Sequence, residues 1–124
     1  YFDETGRDPD YFDLIATGDL GYVGRRLAAE LLEKGGCKIG ENYTDCGIEI
    51  FDRDSQDTHC GGSGCACSAL VFTAKFYRML KRGEIKRMLF MPTGALLSTT
   101  TSQQGESIPS IAHGIVIESG CGKR

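Results

Sequence analysis

Four small residues in a row, Gly61-Gly62-Ser63-Gly64, stand directly before a long run that is typical of a helix. A loop of this kind opens a helix whose first backbone N–H groups lack partners and whose dipole is positive at that end. Glycine lets a ligand approach the backbone closely, so a carboxylate or a phosphate could bind there. Alternatively, the glycines let the helix pack tightly against a neighbouring strand. The local sequence leaves both interpretations open.

Length and composition predict one globular domain over residues 1–124, with 40% hydrophobic and 25% charged residues. A net charge of −3 and short basic groups argue against a nucleic-acid partner. No apolar run reaches the roughly 20 residues of a membrane span, and no secretory signal is recognised. Contact with a membrane would therefore need partner proteins. Because the sequence opens with Tyr1, we expect a fragment of a longer protein.

Six cysteines and one acidic region raise the question of a metal site. Cys60, Cys65 and Cys67 lack the paired spacing of structural zinc sites, so we expect reduced thiols and no metal. The segment 45–57 holds four aspartates and Glu49. The loop glycine and closing glutamate of an EF-hand do not stand at their offsets, so a solvated acidic loop is favoured over a calcium site.

The first part of the chain has a strand pattern followed by a helix pattern. The run 11–17 is of the strand type and ends at Gly18. Asp19 is the predicted N-cap of a helix that Gly35-Gly36 ends in the left-handed conformation. Apolar residues recur at helical spacing along this helix, and they are Leu20, Val23, Leu27 and Leu31.

A second helix is predicted over residues 64–82. Its first half, 65–72, carries no charge, so we expect it to be buried on nearly all sides. Lys75, Arg78 and Arg82 form an exposed stripe towards its end, where cations suit the helix dipole.

Three further strands complete the pattern. They are the short alternating run 47–51, the continuous apolar run 87–91, which we expect to be covered on both faces, and the final run 113–118. The polar segment 93–110 has the length of a functional loop. The order β-α-β-α-β-β predicts an α/β layered domain with a mixed sheet.

Four short runs resemble a known family. They are Thr17-Gly18-Asp19-Leu20-Gly21, Asn42-Tyr43-Thr44-Asp45-Cys46-Gly47, Gly61-Gly62-Ser63-Gly64-Cys65 and Ser102-Gln103-Gln104-Gly105-Glu106-Ser107-Ile108-Pro109. On these runs, which cover nearly the whole chain, it resembles the stage V sporulation protein AD family of the thiolase-fold superfamily. The resemblance implies a thiolase-like fold of α-β-α-β-α layers, of which this chain supplies part of the C-terminal half. The N-terminal half of the parent protein would then be absent.

The resemblance also implies a role in bacterial spore formation. Members of this family are thought to bind dipicolinic acid, a pyridine dicarboxylate, and to help its calcium chelate enter the developing spore. The implied partners are dipicolinic acid or its calcium chelate and the other SpoVA membrane proteins, with no cofactor. The implied location is the spore inner membrane, reached through those partners.

Two glycines stand where related enzymes keep reactive side chains. Condensing enzymes of the superfamily use a His and an Asn (or a second His) from the C-terminal half to stabilise enolate charge. The resemblance places these positions at Gly18 and Gly62, and the late glycine-rich loop of thiolases at 92–97. Glycine offers only backbone N–H groups, so we expect a retained pocket and no enzymatic activity.

The expected site is therefore a ligand-binding cradle without catalytic residues. Backbone N–H groups of 62–64 and the Ser63 hydroxyl could bind one carboxylate of the ligand. The turn at 17–19 could form a second wall, and His59 could donate a hydrogen bond when suitably protonated, unless it is an ordinary loop histidine. The complete expected set is Thr17, Gly18, Asp19, His59, Gly62, Ser63 and Gly64.

For three polar residues near the end of the chain, an ordinary structural or surface role is considered. His113 begins the final predicted strand and is expected to be structural. Gln103 and Gln104 either cover the mouth of the pocket or lie in an ordinary surface loop.

Two other classes of function stay open: a residual acyltransferase or ketoacyl-synthase-like enzyme, and a purely structural docking subunit. The resemblance places the ligand pocket between two halves, so we expect the isolated chain to bind ligand weakly. Apolar surface left by the missing half could also drive formation of a homodimer.

Overall fold

A computed structural model describes residues 1–92, 99–107 and 112–120. The strands are β1 (Leu14–Thr17), β2 (Tyr43–Asp45), β3 (Arg87–Met91) and β4 (Ile115–Glu118). They form one sheet in the order β2-β1-β3-β4. β1 runs parallel to β2 and β3, whereas β4 runs antiparallel to β3. The predicted α/β class with a mixed sheet is confirmed.

Helical segments separate the strands. They are α1 (Phe2–Thr5), a 3-10 helix (Pro9–Tyr11), α2 (Gly21–Lys34), α3 (Cys46–Glu49), α4 (Cys67–Val71), α5 (Tyr77–Arg82) and α6 (Thr99–Gln103). A π-helix, Phe72–Phe76, joins α4 to α5, so residues 67–82 form one continuous helical segment. In the described ranges, no helix combines the length and the apolar character that crossing a membrane would require.

The sheet has a separate hydrophobic cluster on each face because side chains alternate along a strand. On one face, Ala16 and Met88 pack with Phe76 and Leu80 from the helical segment 67–82. The other face is built around Phe12, Ile15, Tyr43 and Leu89, and Ala29 of α2 packs against it. The domain therefore has three layers, with the sheet in the middle.

The strand predicted over 47–51 is wrong, because the strand ends at Asp45 and a short helix follows. The Asp45 side chain accepts a hydrogen bond from the backbone N–H of Gly47 (2.8 Å) and caps α3. Of the apolar residues in this run, Ile50 packs against the cluster that contains Cys46, and Phe51 is exposed. The N-cap residue Asp45, and not the short alternating pattern, therefore determines that this segment is helical.

The first helix is confirmed, but Asp19 is not its N-cap. The helix begins at Gly21, and the backbone N–H groups of Leu20 and Gly21 donate to the distant Asp45 carboxylate (3.0 and 2.8 Å). At the other end Gly35 has φ of −78°, and Gly36, with φ of +87°, supplies the left-handed residue. The predicted end of the helix at Gly35-Gly36 is therefore confirmed, and Gly36 is the left-handed residue of the pair.

The second helix begins at Cys67 and ends at Arg82, followed by left-handed Gly83. The prediction that 65–72 is buried on nearly all sides is wrong. Cys67 and Val71 are buried, but Leu70 is 55% exposed. One sheet can cover only one side of a helix, and the opposite side has no layer over it in the described part of the chain. The predicted stripe of Lys75, Arg78 and Arg82 is exposed, as expected.

The later elements agree with their patterns in part. The core of the run 87–91 is buried, with Met88, Leu89 and Phe90 at most 5% exposed, which confirms a strand covered on both faces. The last strand begins at Ile115, two residues after His113. The segment 93–110 is not only loop, because α6 lies within it, while 93–98 and 108–110 fall outside the described residues.

Candidate functional site

The turn that follows β1 and the glycine-rich loop meet directly. The Asp19 Oδ2 atom accepts a hydrogen bond from the Ser63 hydroxyl (2.8 Å) and another from the backbone N–H of Gly64 (3.1 Å). These residues are more than 40 positions apart in the sequence. The chain therefore brings Gly18 and Gly62, the immediate neighbours of the bonded residues, onto two adjoining loops.

The loop donors are thus already bound to a carboxylate of the chain itself. Gly64 and Ser63 bind Asp19, and the Gly62 N–H donates to the carbonyl of Gly47 (2.6 Å). Hydrogen bonds from a hydroxyl and a backbone N–H to a carboxylate are of the stronger, charge-assisted kind. The loop therefore has the donors to bind one carboxylate oxygen. In this structure that oxygen is the Oδ2 atom of Asp19.

Asp45 organises both loops, although the sequence indicated only that it lies in an acidic region and in a run that resembles the family. Its side chain is fully buried and accepts from the Thr17 hydroxyl (2.6 Å) and from three backbone N–H groups. Those N–H groups belong to Leu20, Gly21 and Gly47, at 3.0, 2.8 and 2.8 Å. An aspartate that ends a strand and is followed by Cys-Gly is a capping signal, and that signal could have identified it.

Thr17 is a structural residue in this arrangement. Its side chain is 9% exposed, and its hydroxyl lies between the Asp45 carboxylate and the Tyr43 hydroxyl (3.2 Å). Burial raises the pKa of Tyr43, which keeps that phenol neutral. The hydroxyl of Thr17 therefore fixes the end of β1 to the end of β2.

Glycines in these loops allow backbone segments to touch. A Cβ added at Gly61 would overlap the carbonyl of Gly47, and one added at Gly21 would overlap the carbonyl of Cys60. A Cβ at Gly62 would overlap the Ile50 side chain and approach the Phe51 ring to 2.9 Å. Tight packing was the second interpretation of the glycine-rich loop, and it explains Gly61 and Gly62.

His59 lies apart from the contact between the two loops. Its side chain is exposed, and its Nδ1 atom is 3.2 Å from an Asp57 carboxylate oxygen. It has a positive φ of 47°, which is uncommon for a residue with a side chain. An open cavity of about 450 Å³ is lined by residues 53–59. Among the described residues, no hydrogen bond or ion pair joins His59 to Asp19 or Ser63.

Other residues singled out from the sequence lie in ordinary surroundings. His113, Gln103 and Gln104 are exposed, and Gln103 is the last residue of α6. Thr93 and the rest of 93–98, which include most of the segment compared with the late loop of thiolases, lie outside the described residues. In the part of the chain that the structure describes, no three or more His, Cys, Asp or Glu side chains lie close enough together to hold a metal ion.

Two buried thiols, those of Cys46 and Cys67, lie beside the site. Burial, followed by the nearby Asp45 carboxylate, raises the pKa of Cys46 to about 12. Burial likewise raises the pKa of Cys67, with Asp19 as the next contribution. A thiol with a pKa this far above neutrality supplies almost no thiolate, which is the nucleophilic form.

Comparison with known proteins identifies the family. The family model described as stage V sporulation protein AD matches residues 1–118. Stage V sporulation protein AD of Bacillus subtilis (strain 168) is 44% identical over 118 residues, which cover 95% of this chain and 35% of the relative. This chain therefore spans about a third of the length of that relative. The chain belongs to the stage V sporulation protein AD family, which implies a role in sporulation.

Proposed function

We propose that this protein is a non-catalytic binding module for dipicolinic acid, and that it takes part in the uptake of calcium dipicolinate into the developing spore. The observation that carries the proposal is the carboxylate of Asp19 bound by Ser63 and Gly64. A loop that binds a carboxylate of its own chain has the donors that a carboxylate of the ligand needs. Dipicolinate has two such groups on a flat ring.

In this proposal one ligand carboxylate takes the place of Asp19. The Ser63 hydroxyl and the Gly64 N–H are the donors that it gains, because the N–H of Gly62 is committed to the Gly47 carbonyl. Gly18 and Asp19 form the facing wall. Thr17 acts indirectly by holding the end of β1, and His59, which pairs with Asp57 in the structure, stays a predicted further donor.

The absence of catalysis is part of the proposal. The two positions compared with catalytic residues are Gly18 and Gly62, and neither has a side chain that can transfer a proton or stabilise an enolate. The tight contact at Gly62 leaves no room for such a side chain without moving Ile50. The buried thiol of Cys46, with a pKa of about 12, is a poor nucleophile.

We further propose a thiolase-like fold for the full-length protein, with this chain in its C-terminal half. The three layers of the chain, helix on sheet on helix, fit within a five-layered α-β-α-β-α arrangement. The other SpoVA membrane proteins are the proposed partners, and association with the spore inner membrane would occur through them. Calcium would enter as part of the chelate, and not as a metal that this chain holds alone.

Calorimetric titration of the full-length protein tests the binding function. Dipicolinate and its calcium salt are titrated separately, and isophthalate, which lacks the ring nitrogen, is the matched control ligand. We expect saturable binding of dipicolinate, and we expect Ser63→Ala to weaken it about tenfold because a hydrogen bond to a charged group is lost. Ser55→Ala, at an exposed serine that binds only Asp52, is the control variant.

Two outcomes of this titration would contradict the proposal. If neither dipicolinate nor its calcium salt gives heat or a thermal shift, the protein does not bind this ligand. If dipicolinate binds and Ser63→Ala has no more effect than Ser55→Ala, the ligand lies elsewhere.

A further inference from the structure

The glycine-rich loop is attached to a helical segment at each of its ends. Near its start, the Gly62 N–H donates to the carbonyl of Gly47 in α3 (2.6 Å). At its end, the Gly64 carbonyl accepts from the N–H of Cys67, the first residue of α4 (3.0 Å). The position of α3 relative to the helical segment 67–82 therefore determines where the donors of Ser63 and Gly64 lie.

Apolar side chains bring α3 and this helical segment together. Cys46 of α3 belongs to the same buried cluster as Cys67 and Val71, and Ile50 lies against that cluster. Burial of apolar surface is favourable but not directional. A contact between two particular polar atoms fixes the relative position of two elements more narrowly.

The carboxylate of Glu49 supplies such a contact. Glu49 is the last residue of α3, and its Oε2 atom accepts from the Nζ atom of Lys75, 26 positions further along the chain. Its Oε1 atom accepts from the hydroxyl of Thr44 in β2 (2.5 Å). The Glu49 side chain is 20% exposed and that of Lys75 is 49% exposed. One side chain thus joins β2, α3 and the helical segment.

The π-helix at 72–76 accounts for the position of Lys75. The buried residues of the helical segment follow one another at intervals of four, five and four, and they are Cys67, Val71, Phe76 and Leu80. In an α-helix, an interval of five residues turns through about 500°, which would carry Phe76 well away from the side of Val71. A π-helix instead closes its hydrogen bonds over five residues, and the Tyr77 N–H donates to the Phe72 carbonyl here.

This extra residue has two effects. It keeps Phe76 and Leu80 in the cluster on the sheet, and it leaves Lys75, inside the π-helix, at the carboxylate of Glu49. Single π-helical turns within α-helices are frequently found at functional sites. Here the turn lets one helical segment cover the sheet and bind α3 at the same time.

We propose that the Glu49–Lys75 ion pair is a latch that positions Ser63 and Gly64 for a ligand carboxylate. This role rests on the proposed function of the loop and adds two positioning residues to it, neither of which contacts the ligand. The latch fixes α3, which holds the loop at Gly47, relative to the segment into which the loop continues. When the latch is broken, the two attachments of the loop shift, and the donors leave the arrangement that binds one carboxylate oxygen.

Reversal of each charge, alone and together, tests the latch in the full-length protein. Glu49→Lys places two lysines against each other, Lys75→Glu places two glutamates, and the double variant restores an ion pair with its charges exchanged. The Thr44 hydroxyl fits both orders, because it can accept from a lysine or donate to a carboxylate. Hydrogen–deuterium exchange of residues 60–66 is measured without ligand, and calorimetric titration with dipicolinate follows.

We expect residues 60–66 to exchange about threefold faster or more in each single variant, because local opening of the loop no longer has to break the ion pair. Dipicolinate should bind about threefold more weakly, since the loop spends less time in the binding arrangement. The double variant should return both quantities to within about twofold of the wild-type values.

Arg82→Glu and Glu84→Lys are the matched controls. These residues form an exposed ion pair at 3.6 Å at the end of the same helical segment, with side chains 70% and 48% exposed. We expect neither reversal to change the exchange of 60–66 or the affinity by more than about 1.5-fold. Lys75→Met and Glu49→Gln, which remove one charge without placing like charges together, replace any reversal that fails to fold.

Three results would overturn the proposal. A lower midpoint of thermal unfolding with wild-type exchange of 60–66 would mean that the ion pair only stabilises the fold. Exchange as fast in the double variant as in the single ones would mean that the pair itself is not the cause. Weaker binding of dipicolinate by Lys75→Glu with unchanged exchange, and no recovery in the double variant, would mean that Lys75 contacts the ligand.

The exchange measurement also separates this proposal from the proposed function. If the wild-type protein does not bind dipicolinate, the proposed function is wrong. Exchange of 60–66 in the absence of ligand then still decides whether the latch positions the loop.

Discussion

The carboxylate of Asp45 joins the start of α3 to the turn between β1 and α2, which is 24 to 28 residues away in the sequence. It receives the hydroxyl of Thr17, the backbone N–H groups at the start of α2, and the N–H of Gly47. Because the group is fully buried, these four donors replace the water that a carboxylate would otherwise bind. The Asp45 side chain therefore fixes the residues on both sides of the turn that contains Gly18 and Asp19.

Asp45→Asn should therefore lower the free energy of unfolding by about 3 kcal/mol. The side-chain amide cannot accept from all four donors, and its own N–H groups would face backbone N–H groups. Urea unfolding at pH 7 measures this. Asp54→Asn, at an exposed residue of the acidic loop, should change the same quantity by less than about 0.5 kcal/mol. Equal effects of the two substitutions would show that the Asp45 network contributes little.

Asp19 competes with the proposed ligand for the same donors. If a dipicolinate carboxylate binds to Ser63 and Gly64, it must displace a group of the same charge. Asp19→Asn removes that charge, so we expect calcium-free dipicolinate to bind the full-length protein about tenfold more tightly. Calorimetric titration measures the change, and Asp57→Asn, at the carboxylate beside His59, is the control. Weaker binding of Asp19→Asn would mean that Asp19 holds the ligand and does not compete with it.

Single residues differ in how far the sequence could predict their roles. The short-range chemistry of Gly62, Ser63 and Gly64 was recognisable because a glycine-rich loop before a helix has a known set of donors. Their partner, Asp19, was not recognisable, because its position in the sequence is that of an N-cap residue for the helix that follows it. Asp45 supplies that cap from 24 or 25 residues away, and no local pattern encodes such a contact.

The loop before α4 and the short helix α3 form one packed unit. Gly62 lies where its missing side chain would overlap Ile50 and approach Phe51 to 2.9 Å. Its N–H also donates to Gly47, the second residue of α3. The loop can approach α3 this closely only because both residues in contact are glycines.

Gly62→Ala should accordingly reduce the free energy of unfolding by about 2 kcal/mol, through overpacking against α3. Denaturant unfolding of the variant and of Gly120→Ala measures the effect. Gly120 is the matched control, because a Cβ there would meet no atom within 4 Å and its φ is not positive. If both variants unfold at the wild-type denaturant concentration, the loop has more freedom than the packing implies.

Continuous apolar runs and long helical patterns were predictable, and a short alternating run was not. The continuous apolar run 87–91 forms the predicted strand, and the predicted second helix ends at Arg82. The alternating run 47–51 does not distinguish a strand from a helical turn, and the Asp45 cap decides between them. The π-helix at 72–76 has no pattern of its own, although the Thr73 hydroxyl binds the carbonyls of Ala69 and Leu70 there (2.7 and 3.1 Å).

Within the described residues, both helical layers expose large apolar side chains. Leu70 and Tyr77 are at least half exposed on one layer, and Val23, Leu27 and Leu31 of α2 are exposed on the other. The α/β class followed from the order of strands and helices, but burial did not, since 65–72 was expected inside. Hydrophobic pattern records what a residue packs against in the complete protein, and this chain spans about a third of its relative.

The most direct test of the account is a crystal structure of the full-length protein soaked with dipicolinate. We predict one ligand carboxylate within hydrogen-bond distance of the Ser63 hydroxyl and the Gly64 N–H, with the Asp19 side chain turned away from both. The pyridine ring should lie between the turn at Gly18 and the loop at Gly62. Dipicolinate bound only elsewhere, such as in the open cavity lined by 53–59, with Asp19 still on Ser63, would contradict the account.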